Sequence, residues 1–212
     1  MFSKKISAIF VSTSLLSRDV AKHLFNHDNT INLINTTSNQ RLLRILEHQL
    51  PDVILFELTD LLTNELKLIK RVAVTYKHVN ILVLSSFVNA VVANQVFKAG
   101  AKAYLTLDAS WEEIQLALQT CAQGKKYVPT HIAQLITHFT LNDELAPTFK
   151  ELSEQEFQIF LLMVRGNKTS AIAETCFMSE KTVNSYCQRI FDKFRTRNKV
   201  ILTHIAYKYG FI

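Results

Sequence analysis

The sequence predicts an α/β domain built on a five-stranded parallel sheet, followed by an all-α domain of four short helices. Two observations carry this. Up to about residue 122, short continuous apolar runs alternate with segments of helical spacing, the pattern of a sheet wrapped on both faces. From Glu151 onward only helical patterns remain.

The elements follow in order. Ile6–Val11 is a continuous apolar run and reads as the first strand. Leu15–Phe25 has helical spacing, and Ile31–Ile34 is a weak strand. Arg41–Leu50 reads as a helix ending before Pro51, and Val53–Phe56 as a buried strand. Glu65–Tyr76 is a helix and Ile81–Leu84 another apolar strand. Val88–Lys98 is a helix stopped at Gly100, a C-terminal stop signal. Ala103–Leu105 is a short strand, and Trp111–Ala122 a helix stopping near Gly124. In such a sheet the functional crevice lies at the carboxyl ends of the strands.

The connector is expected over 124–150, with a short helix from Pro129 to His138 and a polar, turn-prone stretch from Asn142 to Pro147. This places an α/β domain at 1–123 and a helical domain at 151–212. Ser153 and Glu156 form a capping box, so the next helix starts there and runs to Gly166. Thr169–Thr175 is a short helix, Ser179 caps a third from Glu180 to Phe194, and Asn198 caps a fourth ending at Gly210. The second and third have helix-turn-helix spacing.

Composition narrows the chemistry. The chain has only 4 Gly and 3 Pro, and no glycine-rich phosphate loop can be written from isolated Gly100, Gly124, Gly166 and Gly210. The cysteines Cys121, Cys176 and Cys187 lack C-x-x-C spacing, and the scattered histidines offer no ligand pattern. No metal, no cofactor and no enzymatic constellation is expected. The apolar run after Lys4 and Lys5 is cut short by Arg18 and Asp19, so it reads as a buried strand rather than a leader or membrane span. A cytoplasmic protein is expected.

The net charge of +6 is uneven. Residues 1–147 carry 14 basic and 12 acidic groups, and residues 148–212 carry 10 and 6. Projecting the third helix at 100° per residue puts Val183, Cys187, Ile190 and Phe194 on one stripe, facing the core. Lys181, Asn184, Ser185, Gln188, Arg189 and Asp192 lie outward. That polar face suits base edges and phosphates, because Asn and Gln pair with adenine and Lys and Arg with guanine or phosphate. An ordinary wet helix surface is the alternative.

Both halves resemble the NarL/FixJ class of bacterial response regulators, which join a receiver to a LuxR-type helix-turn-helix. The resemblance is carried by LSEQEFQIF, SEKTVNSY and LTHIAYKYG, and KTVNSY with GKKYVPTHIAQ looks most like the GacA/UvrY/LetA subgroup. It implies a flavodoxin-like (βα)5 receiver and a recognition helix over Glu180–Phe194. Lys181, Thr182, Asn184, Ser185 and Gln188 would then lie at the DNA, with Arg189 and Lys193 on phosphates. Val200, Leu202, Ile205 and Tyr209 would form a dimer seam, and a homodimer would read an inverted-repeat double-stranded operator.

The same resemblance locates the phosphoryl pocket, and the residues there depart from it. The Mg²⁺-binding acidic pair aligns with Ser12 and Thr13, the acceptor aspartate with Glu57, the hydroxyl with Ser85 and the lysine with Leu107. A hard cation wants carboxylate oxygens, and neutral Ser12 and Thr13 supply none. Asp60 is a conceivable substitute acceptor. Glu57 is read either as an imitation of phospho-aspartate or as a solvent-facing remnant. The expectation is an atypical, phosphorylation-independent regulator of transcription. The alternative is an interaction protein that heterodimerises with a genuine response regulator.

Overall fold

Continuous apolar runs become strands because a parallel sheet buries both faces. In a computed structural model that describes residues 5–59 and 65–212, five strands form, four of them on apolar runs and one on the more polar INLINTT. They are β1 (Ile6–Val11), β2 (Ile31–Thr37), β3 (Val53–Leu58), β4 (Asn80–Ser85) and β5 (Ala103–Thr106), in the order β2-β1-β3-β4-β5. Every pairing is parallel, with Phe10 opposite Leu55 and Glu57 opposite Leu84.

The intervening helices are α1 (Leu15–Asn26), α2 (Asn39–Leu46), α3 (Glu65–Thr75), α4 (Ala90–Lys98) and α5 (Trp111–Ala122). Phe10, Leu55, Ala21, Phe25, Leu118 and Cys121 belong to one buried cluster of sheet and helix residues. Phe25 and Trp111 meet edge to face at 4.9 Å, joining α1 to α5. Gly100 ends α4 at φ +108, and a Cβ there would stand 2.5 Å from the Ala73 Cβ. Both the backbone angle and the space demand glycine.

Strands β2 and β3 run longer than expected, because Thr37 and Leu58 also bury against the sheet. Helix α2 stops at Leu46 rather than Leu50, whose side chain is exposed. A further helix α6 covers Thr130–Asn142. The turn expected from Asn142 to Pro147 is partly helical: α7 spans Ala146–Glu151. Burial of Ala146 and Phe149 outweighs the polar, turn-prone composition.

The chain divides into two compact units, one gathering most residues up to 133 and one gathering Gln134–Ile212 with Asn89–Gln95. Within the second lie α8 (Glu154–Val164), α9 (Thr169–Cys176), α10 (Glu180–Lys193) and α11 (Lys199–Lys208). Its core is aromatic: Phe149 makes edge contacts with Phe160 and Phe194 at 6.0 and 5.3 Å. Phe139 and Phe149, from the expected connector, are buried and face each other at 6.3 Å. No helix among the described residues is long and apolar enough to cross a membrane.

Candidate functional site

At the carboxyl end of β1 the Ser12 N–H donates to the Thr37 carbonyl at 3.0 Å. This places its fully buried side chain at the strand tip, where the hydroxyl donates to Glu57 Oε2 and accepts the Ser14 N–H at 2.9 Å. Glu57 is half-buried, and Thr13 is exposed. Ser85 is fully buried at the tip of β4, its hydroxyl accepting the Phe87 N–H at 3.1 Å. Its carbonyl accepts the Leu107 N–H at 2.9 Å, while the Leu107 side chain is 46% exposed. Tyr104 lies beneath, donating to the Phe87 carbonyl. Burial pushes its phenol up to about 12, against the pull of a hydrogen bond with Ser85.

The crevice thus joins Ser12 to Glu57 and Ser85 to Leu107. Among these five residues Glu57 is the one carboxylate. No group of three or more His, Cys, Asp or Glu side chains comes together as a metal-ligand set among the described residues. Asp60 lies outside the described residues.

In the helical unit, Ser153 and Glu156 close the capping box that starts α8. Helix α9 ends at Phe177, which adopts the left-handed conformation at φ 54 and turns the chain toward α10. Ser179 then caps α10 by accepting the Thr182 N–H at 3.1 Å. Val183 and Ile190 are buried beneath it, as the apolar spacing requires. Lys181, Thr182, Asn184, Ser185, Gln188 and Arg189 are all exposed. The Ser185 hydroxyl turns back to the Lys181 carbonyl, and Gln188 Nε2 donates to Asp192 Oδ1 at 3.0 Å. The Arg189 guanidinium sits 5.0 Å from the Tyr186 ring centroid. Asn184 makes no side-chain hydrogen bond to the described residues, so its amide is free for an outside partner.

Residues 150–206 match the family of bacterial regulatory proteins of the luxR type. The response regulator UvrY of Escherichia coli K12 is 32% identical over 160 residues, covering 75% of this chain and 73% of UvrY. This chain belongs to the response-regulator family. The oxygen regulatory protein NreC of Staphylococcus aureus is 28% identical over 195 residues, covering 87% of this chain and 89% of NreC. RcsB from Salmonella enterica serovar Typhimurium, solved bound to promoter rprA, shares the fold at a TM-score of 0.68 with 18% identity, covering 95% of this chain and 98% of RcsB. The five-stranded unit of this regulator is a receiver fold, followed by a LuxR-type helix-turn-helix.

Three of the expected site residues of this response regulator are engaged within the chain itself. Lys193 is partly exposed, and its ammonium lies 2.7 Å from Glu156 Oε2 and 3.0 Å from the Glu151 carbonyl. It closes the domain onto its own capping box. Leu202 is fully buried in its own protomer and so cannot line a seam between copies. Tyr209 is half-buried, donates to Asp143 Oδ1 and packs 4.9 Å from Phe149. Ile205 is half-buried, and Val200 is 71% exposed. The exposed apolar side of α11 is carried instead by Val200, Ile201 and Tyr207. The same 100° projection used on α10 would have separated them. Burial pushes the half-buried Cys187 thiol up, which works against a reactive thiolate.

Proposed function

We propose that this response regulator binds an inverted-repeat DNA operator as a homodimer, and that its receiver works without phosphoryl transfer. The observation that carries the first part is the outward face of α10. An unengaged Asn184 amide stands among exposed Lys181, Ser185 and Arg189, a set suited to adenine edges and phosphates.

The second part rests on the donor set of the crevice. Mg²⁺ in a receiver needs clustered carboxylate oxygens. Here Ser12 and Thr13 are neutral, and one Glu57 oxygen is already capped by the Ser12 hydroxyl. Leu107 supplies no cation to balance phosphoryl oxygens. These residues do not fit the metal. Glu57 is held from one side by Ser12, so it is an oriented carboxylate rather than a free remnant.

The test is selection of DNA from a random pool by the full chain, followed by affinity measurements on the recovered site. An inverted repeat is expected. Asn184→Ala should lose about 1–3 kcal/mol of discrimination at one base position in each half-site. Unchanged discrimination would contradict the recognition face.

A further inference from the structure

One side of the sheet is covered by α1 and α5. There the helices leave a cavity of about 260 Å³ above Phe10, Leu55 and Leu84. Val20 and Leu24 of α1 form one wall, and Trp111 and Ile114 of α5 the other. Glu57 is the one charged side chain among the lining residues. It points to this side because β3 alternates: Leu55 and Glu57 share a face.

We propose that this cleft is a binding site for a small primary amine with an apolar body. Two features define the ligand. Apart from Ser17, the walls are aliphatic and aromatic, as in small-molecule sites generally, with one charged group to fix orientation. That group is a carboxylate with a remaining acceptor. Ser12 occupies Glu57 Oε2, and Oε1 has no hydrogen-bond partner among the described residues. An ammonium donates to such an oxygen and balances its charge, whereas an anion is repelled. At about 260 Å³ the cleft lies just below the roughly 300–1,000 Å³ of sites for drug-sized ligands, so it suits a small molecule.

The rim supports an apolar occupant. Leu16, Val20 and Leu24 follow one another at helical spacing and remain 74%, 48% and 49% exposed. Covering part of this stripe removes apolar surface from water. The inference rests on the reading that Ser12 and Glu57 are not spent on a metal, and it is independent of DNA binding.

Trp111 is the single tryptophan of the chain and lines the cleft, so its fluorescence reports occupancy directly. The full chain is titrated with 2-phenylethylamine and, separately, with 3-phenylpropionate, which has a similar body and the opposite charge. The expected result is a saturable change with the amine at least tenfold tighter than with the acid. Glu57→Gln should erase that preference, and Val20→Phe should weaken both ligands by partly filling the cleft. Equal affinity for amine and acid, or an unaltered preference in Glu57→Gln, overturns the proposal. So does a Trp111 signal that changes with protein concentration alone, which would assign the cleft to a second copy of the chain. Phosphorylation is read separately by mass, so failure of that reading is distinguishable from failure of this one.

Discussion

Lys193, near the end of α10, donates to Glu156 at 2.7 Å, across 37 residues of sequence. The pair ties the proposed recognition helix to the capping box of α8. Burial alone would raise the Glu156 carboxyl, but Lys193 and the Ser153 backbone and hydroxyl outweigh it and hold it below its ordinary value. A carboxyl with a lowered folded pKa adds stability that is present above its unfolded value of about 4.5 and is lost as pH falls through the folded one.

Lys193→Met should therefore lower stability near neutral pH by about 1–2 kcal/mol, less than a fully buried pair because Lys193 is partly exposed. It should also flatten the loss of stability on acidification below about pH 4.5. Urea denaturation of wild type and variant across pH checks both. Had Lys193 been a phosphate contact only, stability would not move.

Phe177 holds a left-handed conformation at φ 54 with its ring 89% exposed. The backbone is strained for a side chain, and the ring packs on little that would be lost. Phe177→Gly should stabilise the fold by about 0.5–1 kcal/mol, net of the extra freedom glycine gives the unfolded chain. Urea midpoints at constant m-value measure it.

Lys181 and Arg189 are exposed on the outward face of α10. If they neutralise phosphates, replacing either by Ala should weaken all DNA sites alike. It should also make the salt dependence shallower by about 0.9 per contact removed. Fluorescence anisotropy over a salt series gives the slopes.

Leu202 and Tyr207 separate two roles on α11. Leu202 is fully buried, so Leu202→Ala should cost about 2–5 kcal/mol in folding. Tyr207 is 72% exposed, so Tyr207→Ala should leave the monomer fold intact and weaken self-association. Sedimentation equilibrium beside denaturation distinguishes the effects.

Much of this was legible in the residues. Ser153 with Glu156, Ser179 and Asn198 state where three helices begin, and all three cap as the pattern says. Apolar runs mark β1, β3, β4 and β5, because a sheet covered on both faces buries the side chains of its inner strands. The α10 faces followed from periodicity alone. What was not legible depends on contacts between distant segments. Helix α7 begins inside the stretch Asn142–Pro147 that reads as a turn, since the Phe149 ring it carries packs in a core assembled from α8, α10 and the C-terminus. Lys193 looked like one more surface cation because Glu156 lies far away in sequence. The open Glu57 oxygen and the cleft beside it exist only once α1 and α5 close over the sheet.

The crevice of this receiver fold is proposed to lack phosphoryl chemistry. Intact-mass measurement of the full chain after incubation with acetyl phosphate and Mg²⁺ tests it most directly. An unchanged mass is expected for both wild type and Glu57→Ala. A gain of one phosphoryl group in the wild type that disappears in Glu57→Ala would contradict it.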